Sequence, residues 1–248
     1  RDATNVEATA VNTISWLSDG PTVVVPVYQR QYRWDIGACE QLLADIRAVA
    51  DSDERHMHFI GSNLSSVSGT GADAELVLID GQQRLTTLML LVAALHHTVR
   101  ADDPSLAAHL ERVLVSAADP QRTKLRPHRA WSEVFESVIL DRRSASGEPR
   151  ESRFDDNYAF FRSQVGPAEA PVIWAGLRKL EHVAITLGEG ANAQQIFESL
   201  NSTGEPLRDH ELIHNYVLMG LSHAEQREIG TEYWLPIEQH TGEAIELV

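Results

Sequence analysis

A short apolar segment, residues 76–79 (Leu-Val-Leu-Ile), runs into Asp80-Gly81 and then into the strongly apolar residues 85–99. An apolar segment before an Asp-Gly break is typical of a buried strand, and the longer segment after it is typical of a helix. The longest unbroken apolar run of the chain, residues 88–95, is far too short to span a membrane. The sequence therefore predicts a buried strand, a tight turn and an apolar helix within a globular domain.

The rest of the chain predicts a mixed α/β (α+β) fold. We expect a core with α/β character over residues 1–100, a helical insertion over 101–181, and a strand with helices that return to the core over 182–248, together one compact unit. The spacing of apolar residues predicts helices at 5–18, 36–50, 105–117, 130–141, 155–164, 172–181, 191–200 and 209–221, and strands at 22–27, 57–67, 76–79 and 182–187. Residues 142–153 are expected to form a mobile loop. The chain has no starting methionine, and we interpret it as a fragment.

The net charge limits how the protein can bind nucleic acid. Thirty-six acidic against 21 basic residues give −15, so any contact with DNA must be local. The best candidate is residues 120–129, where Arg122, Lys124, Arg126 and Arg129 occur without an acidic residue. A solvated loop explains the same cluster equally well. The single cysteine, Cys39, cannot form an internal disulfide, which is consistent with a cytoplasmic protein.

The turn at residues 80–84 (Asp-Gly-Gln-Gln-Arg), hereafter the 80–84 turn, combines features of an anion site. Gly81 permits a tight turn, and the helix that follows presents free backbone N–H groups and the positive end of its dipole. Arg84 adds a planar fork suited to phosphate, and Thr86 and Thr87 add hydroxyl groups. A plain strand–turn–helix unit with Asp80 as the N-cap is the alternative.

A second group of recognition residues follows the strand predicted at 22–27. Two arginines, two tyrosines and a tryptophan lie within seven residues, a combination that can stack bases and bind phosphates. The alternative is an aromatic cluster that covers a sheet edge. The residues are Tyr28, Gln29, Arg30, Tyr32, Arg33 and Trp34.

A third motif lies near the end of the chain. Glu198 and Asn201 are three residues apart, so on a helix they share a face and could hold a cation or a nucleotide. Alternatively, Asn201 ends the helix through a local turn.

Four motifs therefore occur in order: Tyr28-Gln29-Arg30 with Tyr32-Arg33-Trp34, then Phe59-Ile60-Gly61-Ser62, then residues 79–87, then residues 197–204. In this combination the chain resembles the N-terminal domain of the GmrSD-type modification-dependent restriction endonucleases, a family that includes the Ssp-type effector responding to phosphorothioated DNA.

The resemblance implies a ParB/sulfiredoxin-like small mixed sheet with helical additions. It also implies an NTPase (GTP or ATP) that senses modified double-stranded DNA and regulates a C-terminal HNH nuclease of the same chain, absent from this fragment. The implied partners are nucleotide, Mg²⁺ and DNA, with a second copy of the chain as a further candidate. Within the fragment we expect no nuclease centre and no membrane partner.

The same resemblance assigns roles to individual residues. Carried over by position, the catalytic set is Asp80, Gln83, Arg84 and Glu198, with Asp80 also expected to hold Mg²⁺. The nucleotide-binding set is Gly81, Gln82, Thr86, Thr87 and Asn201. The DNA-binding set, predicted from the aromatic and basic residues themselves, is Tyr28, Gln29, Arg30, Arg33, Trp34, Arg122, Lys124 and Arg126.

Two other functions remain open. A ParB-like module that binds nucleotide or DNA without hydrolysis would need the same fold. The sequence His210-Glu211-Leu212-Ile213-His214 matches the zinc-protease pattern but lacks its extended glycine and third histidine, so zinc is not expected. Neither Lys124 nor Lys179 follows a glycine, which excludes a Walker-type P-loop.

Overall fold

A computed structural model describes residues 6–26, 31–53, 57–142 and 152–188. Within them the chain forms a mixed six-stranded sheet in the order β1-β6-β3-β4-β2-β5. The strands are β1 (Val6–Asn12), β2 (Thr22–Val25), β3 (His58–Ser68), β4 (Glu75–Asp80), β5 (Leu125–Pro127) and β6 (Leu180–Leu187). The helices are α1 (Thr13–Asp19), α2 (Ile36–Ala50), α3 (Gln82–Val99), α4 (Pro104–Leu114), α5 (Arg129–Ile139), α6 (Arg153–Gln164) and α7 (Ala170–Leu177). The predicted α/β class is confirmed.

The strand directions divide the sheet into two parts. β4, β2 and β5 run parallel to one another, with Val23 opposite both Leu76 and Leu125. β3 is antiparallel to β4 and parallel to β6, and β6 is antiparallel to β1. The carboxyl ends of β4, β2 and β5 therefore meet at one edge of the sheet.

The apolar helix predicted after the 80–84 turn is the centre of the core. Residues 85–95 of α3 are all buried, and the helix packs against α4, α5, α6 and α7. Each fully buried leucine of such a helix stabilises the fold by about 1.5–3 kcal/mol relative to an exposed one. This burial fixes the start of α3, and with it the turn, against the sheet.

Most of the predicted elements are confirmed with small changes at their ends. The helix at 36–50 matches α2, and the predicted strands at 22–27, 57–67 and 76–79 match β2, β3 and β4. The strand predicted at 182–187 is β6, and it returns to the sheet as expected. The helices predicted at 191–200 and 209–221 lie outside the described residues.

Three predictions about the elements are wrong. Residues 6–12 form β1 rather than the start of a helix, because they pair with β6, which lies far along the sequence. β5 lies in the stretch interpreted as a basic cluster or loop, and three residues are too few to give a periodic signal. The helix predicted at 172–181 ends at Leu177, and the chain enters β6 at Leu180.

Candidate functional site

The 80–84 turn and the aromatic motif that follows β2 meet at the carboxyl edge of the parallel strands. β4 ends at Asp80 and β2 at Val25, and β5 ends beside them with Val25 opposite Pro127. Ligands of sheets with parallel strands bind in the crevice outside the carboxyl ends of those strands. Two motifs separated by about fifty residues therefore face one crevice.

α3 begins without a side-chain cap. Gly81 is its N-cap and adopts φ +98°, in the left-handed region, and its N–H donates to Asp80 Oδ1 at 2.8 Å. Five other helices, α1, α2, α4, α5 and α6, begin with a capping side chain that accepts from their first turn: Asn12, Asp35, Asp103, His128 and Ser152 respectively. Asp80 is therefore not the N-cap, and Gly81, which is, has no side chain with which to cap the first turn of α3.

Asn63 of β3 lies directly behind this turn. A Cβ added to Gly81 would stand 2.0 Å from Asn63 Oδ1, so the carboxamide is packed against the glycine backbone. Asn63 is 1% exposed, and neither its Oδ1 nor its Nδ2 has a hydrogen-bond partner among the described residues. A buried carboxamide without partners is costly. Asn63 was not among the predicted site residues; its signal in the sequence is an asparagine inside a strand.

Arg84 lies on the β3 side of the turn. A Cβ added to Gly61, which has φ +109°, would stand 3.0 Å from Arg84 Nη1, so the guanidinium rests against the backbone of β3. The group is half-buried. Burial, together with the charge of Arg84, lowers the pKa of His182 on β6 to about 3. His182 is fully buried, and its Nδ1 lies 2.8 Å from Thr13 Oγ1.

Gln83 connects the turn to the segment that follows β2. Its Oε1 accepts from the Arg33 backbone N–H at 2.8 Å, and its Nε2 donates to the Gln31 carbonyl at 3.2 Å. Thr87 Oγ1 donates to the Gln83 carbonyl at 2.8 Å. Gln83 and Thr87, predicted to be catalytic and nucleotide-binding, are used here to position the loop.

Tyr32 fixes the same loop to the helices. The Thr87 hydroxyl donates to Gln83, so the Tyr32 hydroxyl is the donor across the 2.7 Å between Tyr32 Oη and Thr87 Oγ1. Asn157 Nδ2 donates to Tyr32 Oη at 2.8 Å and to the Trp34 carbonyl at 2.9 Å. Burial raises the pKa of the Tyr32 phenol well above its usual value, although the hydrogen bonds with Thr87 and Asn157 oppose the shift. The phenol therefore stays protonated as a structural donor.

The aromatic motif divides into buried and exposed residues. Tyr32 and Trp34 pack against the hydrophobic core, as the alternative of an aromatic cluster on the sheet predicts. Arg33, between them, is exposed. Tyr28, Gln29 and Arg30 lie outside the described residues, so their assignment stays a prediction.

The basic stretch at 120–129 is largely engaged within the protein. Arg122 Nε donates to both carboxylate oxygens of Glu136 at 3.0 Å, and Glu136 is only 5% exposed at its side chain. Burial would raise the pKa of Glu136, but hydrogen bonds from Arg122 and its other donors lower it. Lys124 is 5% exposed, and its Nζ donates to the Gly20 carbonyl at 3.1 Å.

These contacts weigh against Lys124 as a DNA contact, whereas the assignment of Arg122 to DNA binding stays a prediction. Lys124 would have to break buried hydrogen bonds to reach a phosphate, while the Arg122 side chain is 40% exposed. Arg126 is half-buried, with Nε donating to the Thr123 carbonyl at 3.2 Å, and Arg129 is exposed at the start of α5.

A small pocket that is open to solvent lies beside the first turn of α3. Gln82 and Thr86 form the helix side of the pocket, and Gln31 and Tyr32 line it from the segment after β2. Residues after β5 complete the rim, with His128 and Trp131 among them. Each of the three parallel strands is thus followed by residues that line this pocket.

The remaining predicted residues are beyond the described part. Glu198 and Asn201 lie there, as do both histidines of the zinc-protease pattern. Within residues 6–26, 31–53, 57–142 and 152–188 no three metal-binding side chains of the His, Cys, Asp or Glu type are grouped. In the same ranges no helix is long and apolar enough to cross a membrane.

Comparison with protein families identifies the family of the domain that carries this crevice. The family model of the GmrSD restriction endonuclease N-terminal domain matches residues 13–218. The chain belongs to this family. The GmrSD match spans α1 to β6 and includes both motifs at the crevice, and it places the domain in a restriction system. No curated protein matches the chain at a significant level.

Proposed function

We propose that this GmrSD N-terminal domain binds and hydrolyses a nucleoside triphosphate at the 80–84 turn, and that it thereby senses modified DNA for a nuclease domain of the same protein. The observation that carries the proposal is the start of α3. Gly81, the N-cap, has no side chain to cap the first turn, the turn lies at the carboxyl edge of the parallel strands, and the buried Asn63 carboxamide stands directly behind it. The start of a helix is suited to bind phosphate oxygens, and a carboxamide N–H can add a further hydrogen bond to them.

Each residue of the turn then has a distinct role. The backbone N–H groups of Gln82 and Gln83 bind phosphate oxygens, and Arg84 neutralises charge that develops on the γ-phosphate. Asp80 orients the attacking water. The oxygen of that water forms a bond to the γ-phosphorus while the bond to the β-phosphate oxygen breaks, and its proton passes to the released phosphate. The products are a nucleoside diphosphate and inorganic phosphate.

The residues at the turn also fit a magnesium ion. Mg²⁺ is usually held by one or two carboxylates together with substrate phosphates and water. Asp80 is the carboxylate at the turn, so the protein would contribute one ligand from the described residues. When bound, the ion would supply charge neutralisation for the phosphates.

The DNA-binding surface is proposed to lie on the same edge of the sheet. Arg33 follows β2 and is exposed. Arg126 lies in β5, and Arg129 is the first residue of α5. Three basic residues near one crevice give a local positive surface on a chain of charge −15. Phosphorothioate is the modification we propose, because sulfur is softer and less hydrated than the oxygen it replaces.

Phosphate release from nucleoside triphosphate tests the assignment. We expect Asp80→Ala and Arg84→Ala each to lower turnover at least tenfold, because each removes a charged group at the reacting phosphate. Asp156→Ala and Arg178→Ala are matched controls, since both residues are exposed and belong to α6 and the end of α7. Turnover equal to wild type in both turn variants would refute the assigned site. Nucleotide binding by calorimetry without any turnover would favour the non-hydrolysing binding module instead.

A further inference from the structure

The pocket beside α3 adjoins the 80–84 turn and shares Gln82 with it, but the rest of its lining differs in chemistry. The turn offers amides and charge, whereas the pocket combines aromatic rings with two carboxamides and a hydroxyl. The rings are those of Tyr32, Phe154, His128 and Trp131. We propose that this pocket holds the base of the nucleotide whose phosphates bind the 80–84 turn, an inference that rests on the function proposed above.

The position of the pocket supports this occupant. Gln82 is the first residue of α3 and lines the pocket, while its backbone amide belongs to the proposed phosphate site. Thr86, one helical turn further on, lines the pocket as well, so the lining extends over about 5.4 Å of the helix axis. A ligand with phosphates at the helix start and a ring beside the same turn of helix would occupy both.

The walls of the pocket are suited to a planar ring. Tyr32 and Phe154 are stacked on each other with centroids 5.0 Å apart and an interplanar angle of 16°. The hydrogen bonds of Tyr32 to Thr87 and Asn157 hold this pair in place. Trp131 is half-buried, so part of the indole remains open to the pocket. Stacking on aromatic side chains is the general way in which proteins bind nucleobases.

The polar groups around the pocket can recognise the edge of a base. Gln31 is exposed, and a side-chain carboxamide presents both a donor and an acceptor. Gln82, on the opposite element, brings a second carboxamide to the lining. A carboxamide on each side of an aromatic pocket is suited to hydrogen bonding with ring nitrogens and exocyclic groups. The base is the part of a nucleotide that can stack on these rings and hydrogen-bond to these groups through its edge, and a free triphosphate lacks it.

Binding of two ligands to the 248-residue chain tests the proposal. We expect Trp131→Ala to weaken binding of ATP or GTP, whichever binds the wild type more tightly, about tenfold or more. Binding of inorganic tripolyphosphate should change less than about twofold, because its contacts are confined to the turn. Trp174→Ala is the matched control, since Trp174 lies on α7, outside the pocket lining, and its loss should change neither affinity. Gln31→Ala, an exposed substitution that should not affect folding, is expected to weaken nucleotide binding in the same selective way.

The outcomes separate this inference from the proposed function. Equal weakening of nucleotide and tripolyphosphate in both pocket variants, or no weakening of either, would overturn the base pocket while leaving the phosphate site intact. A wild-type chain that binds neither ligand would overturn the phosphate site and this inference with it. If the pocket variants bind modified duplex DNA more weakly but nucleotide normally, the pocket holds a base of DNA and the inference is wrong.

Discussion

Both the backbone conformation and the packing at residue 81 require glycine. The cost of the Gly81→Ala substitution in free energy of unfolding can be worked out from the structure. At φ +98° an alanine pays the left-handed penalty of about 1–2 kcal/mol. Its Cβ would also stand 2.0 Å from Asn63 Oδ1, so the buried carboxamide must move. Forcing one extra carbon into a packed interior costs about 1–3 kcal/mol. We therefore expect Gly81→Ala to lower the free energy of unfolding by about 2–5 kcal/mol.

The chain offers a control that isolates each contribution. Gly71 also has a positive φ, +63°, but an added Cβ there would meet nothing within 4 Å. Gly71→Ala should therefore cost only the backbone part, about 1–2 kcal/mol. In an Asn63→Ala background the added Cβ no longer collides with the Asn63 carboxamide. The destabilisation caused by Gly81→Ala should then fall to that caused by Gly71→Ala.

Urea unfolding followed by circular dichroism measures all of these variants. We expect a coupling energy of about 1–3 kcal/mol between Gly81→Ala and Asn63→Ala. It is the difference between the change in free energy of unfolding of the double variant and the sum of the changes in the two single variants. If Gly81→Ala costs no more than Gly71→Ala, or if its cost is the same with and without Asn63, then Asn63 does not press on the turn and the geometry behind the proposed phosphate site is wrong.

Three further predictions concern buried polar groups. Glu136→Gln should lower the free energy of unfolding by about 1–3 kcal/mol, because Arg122 loses its charged partner, and urea unfolding with an Arg122→Ala comparison checks it. Tyr32→Phe should cost about 1–3 kcal/mol through the loss of two hydrogen bonds, measured by thermal unfolding, and an unchanged midpoint would contradict the network. The folded pKa of His182 is lowered to about 3, so the stability that the neutral ring contributes is complete above its unfolded pKa of about 6.5 and is lost as the pH falls towards 3. Between pH 7.5 and 5 this loss is about 2 kcal/mol, and His182→Gln should remove it from the measured pH dependence.

The local part of the site could be predicted from the sequence. A strand, a glycine turn and a buried helix are each encoded by neighbouring residues, so the 80–84 turn was located correctly, and the four ordered motifs indicated the family. The contribution of β3 could not be predicted, because Asn63 and Gly61 meet the turn only through the pairing of β3 with β4. The engagement of Lys124 was missed for the same reason, since its partners lie about a hundred residues earlier.

By itself the sequence determined the α/β class, the position of the turn and membership of a restriction endonuclease family. Only the tertiary structure decided that residues 6–12 are a strand, that Arg122 and Lys124 are used inside the fold, and that the segments after β4, β2 and β5 share one pocket. The physical reason is that propensity and periodicity act between residues close along the chain. Pairing, burial and close approach depend on which distant residues the fold brings together.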